Sequence, residues 1–400
     1  MSFLADRMAR VRESPTLGMS KRASALKAAG RDIITLSHGE PDFDTPENVA
    51  AAGIQAIRDH RTRYTAVDGM PELKAAVACK FARDNGLTYA PDQIVIGSGA
   101  KLILYNAMVA TINPGDEVIV PAPYWVSYPD MVALADGVTV TVPCGETTGF
   151  RMSPDQLAAA ITPRTRMLIV NSPSNPTGAA YSAADLKAIA EVLVAHPEIL
   201  IMTDEIYEHL VYDGFECASL AAVEPRLYDR TITVNGASKG YAMTGWRIGV
   251  AGGPREIMAA IGAIQSQNAA SPSTISQIAA IEALDGPQDH IARHNVSFKA
   301  RRDVAVDMLD RAAGLACHRP EGAFYVYPSC AGCIGKRTPA GETIATDEDF
   351  VGALLNAEGV AAVHGAAFGL SPYFRISYAL DPSELAEALT RIQRFCASLA

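Results

Sequence analysis

The stretch TITVNGASKGYAMTGWRIGVAGG, residues 231–253, places a single lysine shortly after an apolar, β-branched run. The run from Thr231 to Val234 predicts a buried strand, and the small residues after it leave Lys239 without bulky neighbours. An amine that is partly desolvated but reachable can form a Schiff base with a carbonyl compound. A solvated loop lysine is the alternative, because most lysines lie at the protein surface.

Strand and helix patterns alternate on the N-terminal side of this stretch. Amphipathic patterns predict helices over 48–59 and 70–86, and the second ends at an Asn-Gly stop. Apolar runs that end in glycine, proline or acidic residues predict the strands between the helices. This alternation predicts an α/β fold with a mostly parallel sheet covered by helices on both faces. Ligands of such sheets bind beyond the carboxyl ends of the strands.

An acidic residue ends one of these predicted strands. In ILIMTDEIY, residues 199–207, Asp204 follows a continuous apolar run. A carboxylate in that position needs a partner, because an isolated buried charge is very costly, and a pyridinium nitrogen is one such partner. A helix N-cap or a surface turn is the alternative for Asp204. Tyr207 lies three residues on and could reach the same ring, or could pack in the core with its hydroxyl satisfied.

Two further stretches predict a site for a phosphate group. In IGSGAK, residues 96–101, a strand turns through Gly99 into a helix whose first amides can bind an anion. The guanidinium of Arg247 could bind a phosphate bidentately or form a structural ion pair. A dinucleotide fingerprint is incomplete, because Leu102 occupies the third glycine position and no acidic residue follows at the required distance. A nicotinamide dinucleotide is therefore disfavoured.

Composition excludes several classes of partner. The formal charge of -10 argues against nucleic acid and against an anionic membrane surface. No apolar stretch is long enough for a spanning helix, and residues 1–14 lack the apolar core of a signal peptide. Seven scattered cysteines fit reduced thiols in a cytoplasm. Cys330 and Cys333 form a lone CxxC without a second pair of ligands nearby, so no metal is expected.

Taken together, these features describe a bound aromatic cofactor with a phosphate tail, and the chain resembles a known family. It is similar to the class I, fold-type I pyridoxal-phosphate (PLP) aminotransferases, and most similar to the bacterial aspartate aminotransferase subgroup. The matching stretches span nearly the whole chain in the expected order: GEPDFDTP (39–46), YTAVDGMPELK (64–74), NPGDEVIVPAPYWVSYP (113–129), NSPSNPTGAAYS (171–182), TDEIYEHLVYD (203–213), NGASKGYAMTGWRIG (235–249), PEGAFYVYPS (320–329) and FRISYAL (374–380).

The resemblance implies catalytic and ring-binding roles for specific residues. Lys239 would carry PLP covalently on its amine and shuttle the proton between the substrate Cα and the cofactor. Asp204 would pair with the ring nitrogen, and Trp125 would stack on the ring face. Tyr207 and Asn175 would donate hydrogen bonds to the phenolic oxygen of the ring and so favour its deprotonated form.

The resemblance also implies a phosphate site that two subunits share. Arg247 and the amides of Gly99 and Ala100 would hold the phosphate. Ser238 would either assist them or face solvent. Tyr64 would reach the phosphate in the other subunit, so a homodimer with shared active sites is expected.

Substrate recognition is implied at the other end of the site. Arg375 would bind the substrate α-carboxylate through two parallel hydrogen bonds, with Asn175 and Trp125 beside it, and Gly39 lies in a segment that closes over substrate. Lys101 matches the lysine that binds the side-chain carboxylate in aspartate-specific members. A solvated lysine in the first helical turn is the alternative for Lys101.

The resemblance implies a seven-stranded, mostly parallel sheet in a large domain and a smaller α+β domain. We predict an N-terminal arm and part of the small domain over 1–47, a large PLP-binding domain over 48–290 and a small C-terminal domain over 291–400. The change of pattern near residue 291, where a long charged helix precedes short strands, motivates the second boundary.

The expected function is a ping-pong transfer of an amino group from an L-amino acid, aspartate first, to a 2-oxo acid such as 2-oxoglutarate. The alternatives are the same fold acting on aromatic amino acids, prephenate or another neutral donor, and a PLP-dependent lyase. A PLP-sensing transcription regulator is disfavoured, because about 40 residues ahead of the large domain are too few for a DNA-binding domain, as is a nicotinamide dehydrogenase.

Overall fold

The computed structural model describes residues 3–11 and 15–400. Its strands are β1 (Ile34–Thr35), β2 (Ile94–Gly97), β3 (Glu117–Ala122), β4 (Val138–Pro143), β5 (Thr165–Asn171), β6 (Leu200–Asp204), β7 (Thr231–Gly236), β8 (Gly249–Gly252), β9 (Tyr325–Val326), β10 (Val360–Ala361), β11 (Val363–His364) and β12 (Phe374–Ser377).

The α-helices lie between and after these strands. They are α1 (Pro15–Ala28), α2 (Glu47–Arg58), α3 (Pro71–Asn85), α4 (Ala100–Thr111), α5 (Ser127–Leu134), α6 (Pro154–Ala160), α7 (Ala183–Val194), α8 (Leu220–Val223), α9 (Arg255–Asn268), α10 (Thr274–Asp285), α11 (Asp289–Asp310), α12 (Asp347–Glu358) and α13 (Pro382–Ser398). None of the helices in the described ranges is long and apolar enough to cross a membrane.

The two helices predicted over 48–59 and 70–86 are present as α2 and α3. Pro71 begins α3, where its missing N–H costs no helical hydrogen bond. Gly86 ends it with a left-handed φ of +66°, which a glycine adopts without a Cβ penalty. The Asn-Gly stop in the sequence therefore marks the real end of this helix.

Seven strands form the central sheet in the order β2-β8-β7-β6-β5-β3-β4. All neighbouring pairs are parallel except those of β8, which runs antiparallel to both β2 and β7. The predicted mostly parallel seven-stranded sheet is confirmed. The antiparallel strand β8 inserts between β2 and β7, so these two keep a common direction and end at the same edge.

Strand β5 illustrates how the sheet is buried on both faces. Met167 and Ile169 pack into one apolar cluster with α4, α5 and α9. Leu168 and Val170 point the opposite way, into a second cluster with α6 and α7. Side chains alternate along a strand, so a continuous apolar run places one layer of core on each face.

Short strands and long helices form the C-terminal part of the chain. Strands β11, β12 and β9 make a three-stranded antiparallel sheet, and α11, α12 and α13 share one core with it. The N-terminal strand β1 pairs in parallel with β10, which ties residues 34–35 to this C-terminal part. The domain limits given above stay a prediction.

Candidate active site

A cavity of about 420 Å³ lies at the carboxyl edge of the central sheet, where β5, β6 and β7 end. Its walls come from the start of α1, the segment 39–40, the first turns of α4 and α5, the ends of those three strands and β12. Parallel strands bring their carboxyl ends to one edge, so residues far apart in sequence meet here. The cavity is a candidate active site.

Asp204 is buried at the floor of this cavity, with 4 % of its surface exposed. The Tyr128 hydroxyl donates a hydrogen bond of 2.6 Å to one carboxylate oxygen, and the backbone N–H of Ile206 donates one of 3.3 Å to the other. Burial raises the pKa of Asp204, while these two donors and the nearby Lys239 amine oppose that shift. A buried carboxylate that faces a cavity is suited to bind a positively charged ligand atom.

Lys239 follows β7, and its amine donates a hydrogen bond to the carbonyl oxygen of Gly39. The pKa of the Lys239 amine is lowered to about 8, chiefly by burial. The guanidinium groups of Arg375 and Arg247 contribute to this lowering, and the carboxylates of Glu40 and Asp204 oppose it. A larger share of this amine is therefore unprotonated near neutral pH than in an ordinary lysine, as a nucleophilic amine requires.

The N-terminus of α4 forms the anion-binding end of the cavity. Gly99 precedes the helix with a φ of +90°, and Ala100 is its first residue. The side chain of Arg247 lies so close that a Cβ on Gly99 would sit 2.2 Å from its Nη2 atom. Arg247 itself has a left-handed φ of +58° and donates 2.8 Å to the Thr244 carbonyl, and Ser238 lines the same cavity. Helix amides and a guanidinium together make a phosphate site.

Arg375 is buried on β12 with 2 % of its surface exposed. Its Nη1 donates to Asn175 Oδ1 at 2.9 Å and its Nη2 donates to the Ser37 carbonyl at 2.6 Å. Its Nε has no hydrogen-bond partner among the described residues. A buried guanidinium with an unsatisfied donor beside a cavity is suited to bind a carboxylate. Because Arg375 engages the oxygen of the Asn175 amide, the amide nitrogen keeps its hydrogens for a ligand.

Tyr207, Trp125 and Lys101 border the rest of the cavity, and Tyr325 lies beside Tyr207. The phenolic oxygen of Tyr207 lies 2.9 Å from that of Tyr325, and burial holds the pKa of both phenols above the usual range. The Lys101 amine lies 4.7 Å from the centre of a Trp125 ring. Burial lowers the pKa of Lys101, and the charge of Arg247 lowers it further. Lys101 lines the cavity, and a bound anion there would stabilise the charged form of its amine.

The structure brings most of the predicted site residues together. These line the cavity: Gly39, Ala100, Lys101, Trp125, Asn175, Asp204, Tyr207, Ser238, Lys239, Arg247 and Arg375. Gly99 lies directly behind the wall, at the start of α4. Tyr64 does not line the cavity, and its side chain is 93 % exposed.

Several residues at or beside this cavity are not singled out by the sequence, among them Tyr128, Tyr325, Glu40 and Leu17. Tyr128 lies in the first turn of α5, three residues after Trp125, and the two rings meet edge to face with centroids 5.3 Å apart. Tyr325 lies in a short apolar run without a local signal, and Glu40 follows Gly39 directly. Leu17 comes from α1, which has no apolar stripe that would have indicated its packing.

Comparison with known proteins gives a consistent result. The sequence model of the family described as aminotransferase class I and II matches residues 31–392. The aspartate/prephenate aminotransferase of Cereibacter sphaeroides is 59 % identical over 400 residues, covering 100 % of both chains. The aspartate aminotransferase of Rhizobium meliloti strain 1021 is 53 % identical over 396 residues, covering 99 % of this chain and 97 % of the relative.

Solved structures agree with the sequence relatives. The crystal structure of the aspartate aminotransferase from Rhizobium meliloti superimposes with a TM-score of 0.98 at 52 % identity and covers 100 % of both chains. The aspartate aminotransferase from Thermus thermophilus with maleate superimposes with a TM-score of 0.92 at 41 % identity, covering 99 % of this chain and 100 % of that one.

Proposed function

The chain belongs to the class I and II aminotransferase family, and on that premise we propose that it moves the amino group of L-aspartate to 2-oxoglutarate through PLP. The observation that carries this proposal is the convergence of Lys239, Asp204 and Arg375 on one cavity that ends at the N-terminus of α4. Relatives named as aspartate aminotransferases and aspartate/prephenate aminotransferases support aspartate as the first donor to test.

The residues present fit PLP. A ring with a cationic nitrogen matches the buried carboxylate of Asp204, which has no cationic partner within hydrogen-bonding distance in the described chain. A phosphate matches the α4 amides and Arg247, where the lack of a Cβ on Gly99 leaves room for the guanidinium. An aldehyde matches the desolvated amine of Lys239.

When bound, PLP supplies an electron-withdrawing ring that stabilises negative charge at the substrate Cα. Lys239 holds the cofactor at rest and then takes the proton from the substrate Cα and delivers it to the cofactor C4′ atom. Asp204 would pair with the ring nitrogen and so favour its protonated form, and Tyr207 and Asn175 would donate hydrogen bonds to the phenolic oxygen. Trp125 would stack on the ring and exclude water from it.

Two cationic side chains orient a dicarboxylic substrate. Arg375 binds the α-carboxylate, since this buried guanidinium lines the cavity and its Nε has no hydrogen-bond partner among the described residues. Lys101 binds the side-chain carboxylate beside Trp125. Gly39 lies against the Lys239 amine, in the segment that covers bound substrate.

We also propose a cytoplasmic homodimer with shared active sites. The side chain of Tyr64 is 93 % exposed outside the cavity, and so has free surface for contact with the phosphate site of a second subunit. Ser238 is the remaining proposed phosphate contact.

The test loads the pure enzyme with PLP and adds single amino acids while the visible absorbance of the bound cofactor is followed. We expect aspartate or glutamate to react fastest, with one turnover unless a 2-oxo acid is supplied. Prephenate is tested as an acceptor next to 2-oxoglutarate, because a relative carries that name. Continuous ammonia release without an acceptor would instead identify a lyase. Reaction with aromatic or aliphatic donors alone would remove aspartate and leave the family assignment intact.

Lys101→Ala in the same assay tests the side-chain carboxylate site. We expect kcat/KM for aspartate to fall about tenfold to a hundredfold, the usual worth of one charge-assisted hydrogen bond. Alanine and phenylalanine, which lack the second carboxylate, serve as internal controls and should change less than about threefold by the same reasoning. Equal losses for all donors would contradict the role of Lys101.

Gly99→Ala tests the phosphate site. The new Cβ would collide with Arg247, and the alanine would have to keep the φ of +90° that Gly99 has. We expect the apparent PLP dissociation constant, measured by absorbance titration of the apoenzyme, to rise about tenfold to a hundredfold from that strain. Gly245→Ala is the matched control, because nothing lies within 4 Å of a Cβ at that glycine. A normal PLP affinity in Gly99→Ala would place the phosphate elsewhere.

A further inference from the structure

Tyr325 contacts both Tyr207, a proposed cofactor-binding residue, and Arg375, a proposed substrate-binding residue. It lies on β9, opposite Ser377 of β12, and is fully buried at 0 % exposure. The residue opposite Tyr325 lies two positions after Arg375 on β12, so Tyr325 and Arg375 are diagonal neighbours in this antiparallel pair. None of the roles assigned above uses this side chain.

The hydroxyl of Tyr325 contacts Tyr207, which is proposed to bind the cofactor. Its oxygen lies 2.9 Å from the Tyr207 oxygen, in a buried contact with ring centroids 5.8 Å apart. The proton between the two phenols can belong to either oxygen. Tyr207 needs its own proton to donate to the phenolic oxygen of the cofactor, so the proton of this contact must come from Tyr325.

The ring of Tyr325 contacts Arg375, which is proposed to bind the substrate carboxylate. The guanidinium carbon of Arg375 lies 4.7 Å from the centre of the Tyr325 ring and 5.1 Å from that of Phe368. Asn175 and the Ser37 carbonyl hold two nitrogens of the same guanidinium. The aromatic ring therefore adds a cation–π contact that helps to fix Arg375 where it meets a carboxylate.

The same hydroxyl also abuts the segment that covers substrate. A Cβ built on Gly39 would lie 3.0 Å from the Tyr325 oxygen, and the Gly39 carbonyl accepts from the Lys239 amine. The buried Tyr325 side chain therefore packs against Tyr207, Arg375 and the backbone of Gly39.

We propose that Tyr325 is a positioning residue of the transamination reaction, whose hydroxyl strengthens hydrogen-bond donation by Tyr207 while its ring fixes Arg375. This inference rests on the proposed function. Accepting a hydrogen bond polarises the Tyr207 hydroxyl, and cooperative hydrogen bonds strengthen one another in a buried site. A stronger donor favours the deprotonated form of the cofactor's phenolic oxygen and lowers its pKa.

Two substitutions separate the hydroxyl from the ring. In Tyr325→Phe the ring over Arg375 remains and the hydroxyl is lost. We expect the pH midpoint of the cofactor's visible absorbance to rise by about 0.3 units, which corresponds to a cooperative gain of 10–30 % on a charge-assisted hydrogen bond. The kcat should fall about threefold, while the dissociation constant of succinate, a dicarboxylate without an amine, stays within about twofold.

In Tyr325→Leu the ring is lost as well. The dissociation constant of succinate, followed through the absorbance of the PLP enzyme, should then rise about fivefold, the worth of a cation–π contact of about 1 kcal/mol. The pH midpoint should move as in Tyr325→Phe. If the leucine variant does not fold, the midpoint of the phenylalanine variant alone decides whether the hydroxyl acts as proposed.

Tyr378→Phe is the matched control. Tyr378 is equally buried in the same core, and its hydroxyl donates 3.1 Å to the Ala323 carbonyl, away from the cavity. It should lose stability without moving the pH midpoint or the binding of succinate. An unchanged midpoint in Tyr325→Phe, or equal shifts in Tyr325→Phe and Tyr378→Phe, would overturn the inference. Failure of the unmutated enzyme to bind PLP would overturn the proposed function instead.

Discussion

Lys239→Ala is expected to abolish transamination, with a fall in kcat of about 10⁴- to 10⁶-fold, because it removes both the covalent attachment and the proton carrier. Among the described residues, two lysines line the cavity, Lys239 and Lys101. The Lys101 amine lies over the Trp125 ring. Burial, which lowers the pKa of the Lys239 amine to about 8, prepares Lys239 for this role.

The measurement combines single-turnover kinetics with chemical labelling. Borohydride treatment of the PLP enzyme, followed by peptide mass mapping, should place a pyridoxyl adduct on Lys239 and none on the alanine variant. Lys74→Ala is the control, since Lys74 is a largely buried lysine that pairs with Asp68 outside the cavity. An adduct on another lysine, or an alanine variant with normal turnover, would disprove the assignment on which the proposed mechanism depends.

Asp204→Asn is expected to lower kcat about a hundredfold to several thousandfold. The substitution keeps the size of the side chain and removes its charge, so the ring nitrogen of the cofactor loses its anionic partner in a buried site. Breaking a buried ion pair from one side costs about 3–5 kcal/mol. The Tyr128 hydroxyl, which donates to the carboxylate in the native protein, can still donate to the amide oxygen, so the fold should persist.

Asp347→Asn supplies the matched control for this change. Asp347 is 2 % exposed and accepts hydrogen bonds from the backbone N–H groups of Ala366 and Tyr373, outside the cavity. It should lower the melting temperature while the kcat of folded enzyme stays the same. The expected contrast is therefore a stability loss in one variant and a kinetic loss in the other. A native kcat in Asp204→Asn would show that the ring nitrogen needs no carboxylate.

Local patterns were sufficient to find the residues that follow strands. Lys239 and Asp204 each follow an apolar run, and a parallel sheet presents such positions at one edge. Gly99 was recognisable because a glycine between a strand and a helix indicates an anion-binding turn. The direction of β8 was not recognisable, because its residues Gly249–Gly252 include two glycines and strand direction leaves no mark in so short a run.

Contacts between distant segments were beyond local patterns. Asn175 and Arg375 meet although 200 residues separate them, and Tyr207 and Tyr325 are 118 residues apart. Neither short strand β9 nor β12 has a pattern that specifies its partner, because each has few residues and both faces are buried.

The sequence by itself determined the α/β class, the family and the residues that carry the chemistry, because strand periodicity and turn chemistry are local properties of the chain. Only the tertiary structure decided which groups complete the site. Tyr128 reaches Asp204, Tyr325 reaches Tyr207, and burial shifts the pKa of Lys239, since each depends on how helices and strands pack in space. Desolvation and hydrogen-bond geometry arise from that packing, and no single segment contains them.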